Sequence, residues 1–299
     1  MSKLGIGIDL GGTAIKAAAF DLGTGALLHR ATAPTRDGEE EDGRPAFAAE
    51  IRKLVRGLED EAGTPAGVVG VSSPGLANRE ATAVVDMPGR LGGLVGLDWP
   101  GLLEKPAAVL NDAHAALLGE VWQGAAEGKK DVILLTLGTG VGGAVVADGK
   151  LLRGHFGKAG HLGHIALDFT GPPDICGVPG SLEDMIGNHN VAERSGGKFA
   201  STRELVEAVA AGDAVARETW DRSIRALAAG VASCVHVLDP ELVLIGGGIS
   251  QAWEHIEPGL KRHLDDFEWR PAGGRVEIRR AALGEWAGTY GAAWFAANA

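Results

Sequence analysis

Near its start the chain reads Gly5-Ile6-Gly7-Ile8-Asp9-Leu10-Gly11-Gly12-Thr13-Ala14-Ile15-Lys16-Ala17-Ala18-Ala19-Phe20-Asp21. Apolar residues flank a short glycine turn on both sides, which predicts a β-hairpin with its tip at Gly11-Gly12-Thr13. Because glycine has no Cβ, the backbone N–H groups of such a tip can approach an anion closely, and Thr13 adds a hydroxyl donor. A plain tight hairpin without a ligand is the alternative that these residues leave open.

Asp9 ends the first predicted strand directly beside this tip. A carboxylate next to a bound phosphate would be repelled unless a cation lay between them. We therefore expect Asp9 to face Mg²⁺ through a water molecule.

A second stretch repeats this order of features. It reads Leu134-Leu135-Thr136-Leu137-Gly138-Thr139-Gly140-Val141-Gly142-Gly143-Ala144-Val145-Val146-Ala147-Asp148-Gly149, again an apolar strand, a Gly/Thr tip and an apolar strand. An internal duplication of one supersecondary unit is informative about the fold. Two such hairpins that faced each other would hold a polyphosphate between two domains.

Composition and charge limit the class of protein. A chain of 299 residues is long enough for two domains, and the alternation of predicted strands and helices indicates an α/β architecture. The net charge of −11 and the lack of a basic patch argue against nucleic-acid binding. Cys176 and Cys234 are the only cysteines, which favours the reducing cytoplasm. Met1-Ser2-Lys3 leads directly into the first strand, so we expect no signal peptide, and we expect no membrane span.

Three predicted strands end in residues suited to binding ligands. The first, over 68–72, runs into Ser73-Pro74-Gly75, and ligands bind at this edge of α/β sheets. The second, over 107–110, is followed by Asn111-Asp112 and a helix over 113–123. Asp112 is either the helix cap or a general base in a cleft, and its position leaves both open. The third runs into Gly246-Gly247-Gly248, which either accepts a nucleoside or is a simple tight turn.

The remaining segments are less distinctive. Residues 84–103 are rich in Gly and Pro and predict a loop, whereas 285–297 carry Trp286, Tyr290 and Trp294 at helical spacing and predict a final helix.

Taken together, these motifs resemble the ROK family (repressors, uncharacterised reading frames and sugar kinases) of the actin-like ATPase superfamily. The resemblance covers essentially the whole chain. The motifs that carry it are Asp9-Leu10-Gly11-Gly12-Thr13, Ser73-Pro74-Gly75, Leu110-Asn111-Asp112-Ala113, Leu137-Gly138-Thr139-Gly140-Val141-Gly142-Gly143, Gly160-His161-Leu162-Gly163-His164, Cys176-Gly177 with Gly180 and Glu183, and Ile245-Gly246-Gly247-Gly248.

The resemblance implies a fold and an activity. It implies two α/β domains of ribonuclease-H type with a cleft between them, here residues 1–112 and a larger nucleotide-binding domain over 113–285. The last helix, about residues 286–299, would pack back on the first domain. Family kinases transfer the γ-phosphoryl group of ATP, with Mg²⁺, to a sugar hydroxyl, commonly the 6-hydroxyl of a hexose. Members are often dimers or tetramers, and a homodimer is one expectation.

The resemblance also implies roles for single residues. Asp112 matches the residue that takes the proton of the hydroxyl, a role that suits a cleft carboxylate. The implied substrate-binding residues are Asn111, His161, His164, Glu183, Gly75, Gly89 and Arg90. The implied nucleotide-binding residues are Asp9, Gly11, Gly12, Thr13, Lys16, Gly138, Thr139, Gly140, Gly142, Gly246, Gly247 and Gly248.

The family's zinc site is altered in this chain. That site uses one histidine and three cysteines, and His164 matches the histidine. Asp174, Cys176 and Ser181 stand at the cysteine positions. Because serine is a poor zinc ligand and thiolates dominate structural sites, we expect no structural zinc. The prolines of the loop, Pro172, Pro173 and Pro179, are candidates for ordering it instead.

The sugar pocket departs from the family pattern as well. His161 replaces a glutamate that normally accepts hydrogen bonds from the sugar, and Gly89 stands where an asparagine is usual. Neutral histidine offers one donor and one acceptor. These changes suggest a ligand other than plain glucose, such as an acidic or modified sugar or a cyclitol that His161 and Arg90 could face. A histidine at the pocket rim is the alternative for His161.

Two other functions compete with a sugar kinase. A sugar-responsive repressor of the family carries a helix-turn-helix before the first phosphate motif, which here begins within the first ten residues. A sugar- or nucleotide-binding protein without catalysis is the third possibility, and the presence of Asp9, Asp112 and both glycine hairpins argues against it.

Overall fold

The computed structural model describes residues 4–299. Met1–Lys3, where we expect no signal peptide, lie outside the described residues. The chain forms two compact units. The first contains the described residues up to Gly128 together with Leu151–Ala159 and Ala282–Ala299, and the second contains Lys129–Lys150 and Gly160–Ala281.

The first unit is built on a five-stranded sheet with the order β3-β2-β1-β6-β9. Its strands are β1 (Leu4–Leu10), β2 (Ala14–Asp21), β3 (Leu27–Pro34), β6 (Val68–Ser73) and β9 (Ala107–Asn111). β1 forms an antiparallel hairpin with β2 and is parallel to β6, which is parallel to β9. Because these three strands run in the same direction, Asp9, Ser73 and Asn111 all lie at one edge of the sheet.

The second unit repeats this arrangement with the order β12-β11-β10-β13-β14. Its strands are β10 (Val132–Leu137), β11 (Val141–Ala147), β12 (Lys150–Leu151), β13 (Leu242–Gly246) and β14 (Glu277–Arg280). β10 again forms an antiparallel hairpin with the next strand and is parallel to β13, which is parallel to β14. The α/β class with a duplicated hairpin-led sheet, which the sequence predicts, is confirmed.

Both units also contain helices, and two short hairpins complete the first unit. The first unit contains α1 (Ala46–Ala62), α2 (Trp99–Leu103), α3 (Asp112–Gln123), α9 (Ala287–Asn298) and the strand pairs β4 (Glu40–Glu41) with β5 (Arg44–Pro45) and β7 (Leu76–Ala77) with β8 (Val84–Asp86). The second unit contains α4 (Leu182–Ile186), α5 (Val191–Arg194), α6 (Thr202–Ala210), α7 (Ala214–Leu238) and α8 (Trp253–Phe267).

The prediction of a loop over residues 84–103 was wrong. The segment contains β8 and α2, and buried Val84, Leu91, Leu94 and Trp99 join the core of the first unit. Its Pro100 lies in the first turn of α2, where proline is well tolerated because that N–H has no partner within the helix. In the sequence, a proline at the start of a helix resembles a loop signal.

The last helix, α9, packs against β1, β6 and α3 within the first unit. The backbones touch: a Cβ built on Gly7 would lie 1.8 Å from the carbonyl oxygen of Thr289, and one on Gly70 would lie 1.8 Å from that of Ala292. Phe20 and Tyr290 add an aromatic contact, with ring centroids 4.5 Å apart. Only glycine permits so close an approach of a helix to a sheet.

The compact units divide the chain differently from the predicted ranges 1–112 and 113–285. α3 packs along α9 and therefore belongs to the first unit, as does the segment Leu151–Ala159. None of the helices in residues 4–299 combines the length and apolar character needed to cross a bilayer.

Candidate functional site

The tip of the first hairpin is held by its carbonyl groups. The Thr35 hydroxyl donates to the Gly11 carbonyl at 2.7 Å, and the Thr35 N–H donates to the Thr13 carbonyl at 3.0 Å. Within the described part of the chain, no acceptor bonds the N–H groups of Gly12 and Thr13. The tip therefore presents two backbone donors that suit an anion.

Asp9 is a half-buried carboxylate beside this tip. Its Oδ1 accepts a 2.7 Å hydrogen bond from Ser72 Oγ. Burial raises the pKa of Asp9 while the Ser72 hydrogen bond lowers it, and the charge of Asp112 raises it further against the opposing charge of Lys16, so that the pKa is about 6. Lys16 lies opposite Asp9 in the β1–β2 register and pairs with Glu285 at 3.1 Å.

The carboxylate of Asp9 fits a hard divalent cation by its chemistry. Oxygen ligands are those that Mg²⁺ prefers, and a carboxylate removed from water gains most from a nearby positive charge. The role predicted for Asp9 in holding Mg²⁺ through water stays a prediction.

Asn111 and Asp112 divide the roles that the sequence left open. Asn111 is buried and caps α3, its Oδ1 accepting from the N–H groups of Ala113 at 3.0 Å and His114 at 3.4 Å. Its Nδ2 donates to the carbonyl of Gly75 at 3.1 Å. Asp112 is exposed in the first turn of α3, with Oδ1 2.8 Å from the N–H of Ala113. The capping role considered for Asp112 is thus performed mainly by Asn111.

Two glycines predicted to bind the sugar adopt left-handed backbone conformations. Gly75 has φ +91°, and a Cβ there would lie 2.4 Å from the carbonyl oxygen of Asp86. Gly89 has φ +85° and is exposed, with open space around it. Arg90 follows it and lies against Gly12 of the hairpin tip. The first unit therefore brings together Asp9, Asp112 and the first glycine tip, and places Arg90 at that tip.

The second hairpin is supported by Glu183, at the start of α4. Glu183 Oε2 accepts from the Val141 N–H at 2.8 Å, and a Cβ on Gly140 would lie 2.2 Å from the same oxygen. The N–H of Gly138 donates to the Gly140 carbonyl at 2.9 Å, which closes the turn. Gly142 follows on β11, opposite Thr136. Glu183 thus has a structural partner, and its predicted contact with a sugar stays a prediction.

A cavity of about 790 Å³ opens beside this hairpin in the second unit. Three of the residues that the sequence predicts to bind the nucleotide line it: Gly138, Thr139 and Gly248. Their role in nucleotide binding stays a prediction. Gly246 ends β13 and Gly247 turns the chain with φ +80°, where a Cβ would lie 2.3 Å from the carbonyl oxygen of Leu137. The lining residues that sequence reasoning missed are Asn188, Thr202, Arg203, Val206, Glu207, Ile249, Gln251, Ala252, Trp253, Glu254, His255 and Arg280.

Three of these lining residues could have been predicted from their position in the sequence. Gln251, Trp253 and His255 directly follow the glycine turn, so their proximity to a ligand at that turn could have been expected. Arg203 and Arg280 reach the cavity from α6 and β14, and nothing in the local sequence marks them.

His164 faces the loop of residues 168–181. Its Nδ1 lies 2.9 Å from Asp174 Oδ2, and its Nε2 lies 3.6 Å from Cys176 Sγ. Asp174 Oδ1 accepts from the N–H groups of Cys176 at 2.8 Å and Val178 at 2.9 Å. Burial raises the pKa of Asp174, but hydrogen bonds from His164, the Val178 N–H, Ser181 and the Cys176 N–H outweigh it and lower the pKa to about 2.

These contacts show what orders the loop. The buried carboxylate of Asp174 accepts hydrogen bonds from His164, which precedes the loop, and from the N–H groups of Cys176 and Val178 within it, and Pro173 pairs with Pro179 in a short bridge. Asp174, which stands at a cysteine position of the family pattern, is the central residue of this network, and the prolines contribute as predicted candidates.

The same residues offer a poor set of zinc ligands. His164, Asp174 and Cys176 present one donor atom each, all within 4.8 Å of one another. Structural zinc sites are closed by thiolates and imidazoles, whereas here Ser181 supplies a hydroxyl that bonds to Asp174 and the carboxylate is already saturated by donors. The donor set does not fit a site of the family type, and the expectation of no structural zinc stays a prediction. His161 is half-buried and precedes the short 3₁₀ turn Leu162–His164.

Comparison with known proteins places this geometry in context. The sequence model of the ROK family matches residues 5–299. A glucokinase of Thermotoga maritima is 34% identical over 96% of this chain and 95% of its own length. The crystal structure of a ROK hexokinase from Thermus thermophilus has a TM-score of 0.81 at 32% identity and covers 97% of both chains. That of a ROK family glucokinase from Streptomyces griseus, in complex with glucose and AMPPNP, has a TM-score of 0.79 at 28% identity and covers 99% of this chain and 100% of that one.

Proposed function

The chain belongs to the ROK family, and from that membership we propose that it transfers the γ-phosphoryl group of ATP to the 6-hydroxyl of a hexose or modified hexose. Its class is that of an ATP-dependent sugar kinase, and its full-length relatives include glucokinases, one of them in complex with glucose and AMPPNP. The identity of the sugar, the hydroxyl and the residues that act are our proposal.

The observation that carries this proposal is the position of Asp112. It is an exposed carboxylate in the first turn of α3, it raises the pKa of Asp9 through its charge, and Asn111 relieves it of the main capping role. A primary alcohol is a poor nucleophile at neutral pH, and a positioned carboxylate can orient it and accept its proton. We assign that role to Asp112.

The residues proposed to bind the nucleotide form two groups, one for the nucleoside and one for the phosphates. The cavity of about 790 Å³ in the second unit is of the size that small-molecule ligands occupy, and Trp253 offers an aromatic face to a base. The tip of the second hairpin lines the same cavity through Gly138 and Thr139. We assign the nucleoside to this cavity, and we assign to each glycine tip, within its own unit, a role in binding phosphate.

Asp9 would hold Mg²⁺ through water. When bound, the cation neutralises charge on the phosphate groups. The contribution of the chain itself is to fix the carboxylate: Ser72 binds Oδ1, and Gly288 of α9 lies so close that a Cβ there would be 2.8 Å from that oxygen.

The sugar is proposed to differ from plain glucose. Asn111 and Glu183 are present, yet His161 and Gly89 replace a glutamate and an asparagine of the family pattern. A site that loses a paired hydrogen bond to one substrate discriminates strongly against it. An N-acetylated, amino or acidic hexose, or a cyclitol, would use the altered donors.

An ADP-release assay with Mg²⁺ and without added zinc tests the function over hexoses, N-acetylhexosamines, amino sugars, uronic acids and inositols. We expect one class to exceed glucose. Asp112→Asn should lower kcat by about 10²- to 10⁴-fold while the affinity for AMPPNP and the melting temperature stay near wild type. Asp60→Asn, an exposed carboxylate on α1, is the matched control.

Several outcomes would contradict the proposal. Full activity of Asp112→Asn would remove its assigned role, and a preference for glucose over every other sugar would remove the basis for a modified substrate. Sugar binding without turnover of any sugar would favour the non-catalytic, sugar-responsive regulator instead.

A further inference from the structure

Arg90 lies directly against the tip of the first glycine hairpin. A Cβ built on Gly12 would be 2.9 Å from Arg90 Nη1 and 3.8 Å from Cζ. The guanidinium group is therefore in contact with the backbone that presents the N–H groups of Gly12 and Thr13. A cation beside two free backbone donors forms a stronger anion site than the hairpin alone.

The position of Arg90 is set by the segment that follows β3. Thr35 in that segment binds the hairpin tip through the carbonyls of Gly11 and Thr13. Two residues later, the carboxylate of Asp37 accepts from the N–H of Leu91, at 3.0 Å to Oδ1 and 3.2 Å to Oδ2. Residues 35–37 thus bind both the hairpin tip and the loop that carries Arg90, and the buried side chain of Leu91 anchors that loop in the core.

The charge of Arg90 is not compensated within the protein. No carboxylate among residues 4–299 lies at ion-pair distance from it. By contrast, Arg36, in the segment that follows β3, pairs with Glu39, Glu41 and Glu50, and Lys16 pairs with Glu285. The guanidinium beside the tip of the first hairpin is therefore available to pair with an anionic ligand.

We propose that Arg90 binds the phosphoryl group during its transfer, and so is a further catalytic residue of this kinase. This inference rests on the proposed function. The acceptor oxygen forms a bond to the γ-phosphorus as the bond from that phosphorus to the β,γ-bridging oxygen breaks. The electron pair leaves with ADP, and the hydroxyl proton passes to Asp112. The guanidinium contacts the equatorial oxygens, whose charge it stabilises during the step.

A role of Arg90 in phosphoryl transfer differs from the alternative that it binds an acidic group of the sugar. An acid-reading arginine would belong among sugar contacts, whereas Arg90 touches the backbone of a phosphate-binding tip. The bidentate geometry of guanidinium suits two phosphoryl oxygens and is poorly replaced by lysine.

Steady-state kinetics of Arg90→Gln, Arg90→Lys and Arg90→Ala, on the sugar that the wild type turns over best, test the proposal. We expect kcat to fall by about 10²- to 10³-fold in Arg90→Gln, with a smaller loss in Arg90→Lys. The KM for the sugar should change little, whereas the KM for ATP should rise, because the guanidinium also contacts phosphoryl oxygens before the transfer. Added guanidinium ions should restore part of the turnover of Arg90→Ala. Arg56→Gln on α1, also exposed, is the control.

The outcomes separate this proposal from the one on which it rests. A kcat of Arg90→Gln within about twofold of wild type, or a loss confined to the KM of acidic sugars, would overturn the role in phosphoryl transfer. If the wild type turns over no sugar, the proposed function fails, and calorimetry with inorganic pyrophosphate then decides about Arg90. Binding that weakens at least about tenfold in Arg90→Gln upholds an anion contact, worth about 1.4 kcal/mol, and equal binding overturns it.

Discussion

Ser72 and Asp9 face each other across two parallel strands and share a 2.7 Å hydrogen bond. The bond opposes the effect of burial and of Asp112, so that the pKa of Asp9 is about 6. The carboxylate assigned to Mg²⁺ therefore changes its charge close to neutral pH, and the hydrogen bond from Ser72 lowers the pH at which it does so.

Removing the Ser72 hydroxyl should move the acidic limb of the pH profile. In the wild type, kcat/KM is expected to fall below about pH 6 as Asp9 takes up a proton and loses its attraction for a cation. Ser72→Ala should raise the pKa of Asp9 by about one to two units, since a hydrogen bond to a charged group contributes about 1.5–3 kcal/mol. Ser73→Ala, a buried neighbour whose hydroxyl donates to the Pro74 carbonyl, is the control. An unchanged acidic limb in Ser72→Ala would contradict this assignment.

Asp9→Asn should make the fold more stable at neutral pH. The pKa of Asp9 lies above its ordinary value of 3.8 in the folded protein, so protonation stabilises the native state. That stabilisation is fully present below about pH 4 and is lost as the pH rises through about 6. The variant should gain about 1–3 kcal/mol in the free energy of unfolding at pH 7.5 and little at pH 4, while losing turnover. Urea denaturation at both pH values measures this, and a gain of the same size at pH 4 would disprove it.

Asp174→Asn should loosen the loop of residues 168–181. The buried carboxylate binds His164 and two backbone N–H groups, and its loss is expected to cost about 1–3 kcal/mol. Because the pKa of Asp174 is lowered to about 2, its contribution is present above about pH 4 and is lost as the pH falls through 2. Asp168→Asn, exposed in the same loop, should cost much less. Limited proteolysis of the loop and urea denaturation at pH 7 measure the effect, and equal results for the two variants would contradict it.

The protein should not depend on zinc. Since Asp174 is already saturated by donors, dialysis against a strong chelator is expected to leave the melting temperature and the turnover with Mg²⁺ unchanged. Metal analysis of the purified protein should find far less than one equivalent of zinc. A stoichiometric ion that is lost together with stability on chelation would mean that His164 and Cys176 recruit it.

Two glycine-to-alanine changes should act in opposite directions. In Gly7→Ala the new methyl group would meet the Thr289 carbonyl at 1.8 Å, which is expected to cost at least about 1–3 kcal/mol by separating α9 from the sheet. In Gly57→Ala, on the exposed face of α1 with open space around it, helix propensity should add about 0.5–1 kcal/mol. Denaturant midpoints of both variants measure the difference. A harmless Gly7→Ala would contradict the close packing of α9.

The duplicated hairpins were predictable because their signal is local. Each consists of apolar runs around a Gly/Thr tip, and both occur as β1–β2 and β10–β11. The sequence could not predict that Asn111 rather than Asp112 caps α3, because both residue types are good helix caps and the two are adjacent. Backbone angles of −59° and 146° at Asn111 make that residue the cap.

Contacts between distant segments account for what the sequence could not predict. Arg90 reaches Gly12 only because Thr35 and Asp37 tie the two loops to one segment. In the sequence, Asp174 stands where the family pattern has a zinc-binding cysteine. In the folded loop, its carboxylate accepts hydrogen bonds from backbone N–H groups that only the fold brings to it. Neither relationship leaves a periodic or compositional trace.

The packing of α9 has a consequence for how the protein is made. β1 and β6 leave the ribosome early, yet the helix that seats on Gly7 and Gly70 is formed by residues 287–298. At translation speeds of about 5–20 residues per second, the first strands wait roughly 15–60 s for this partner. The first unit therefore completes its folding only after the second unit has been synthesised, although its own synthesis begins first.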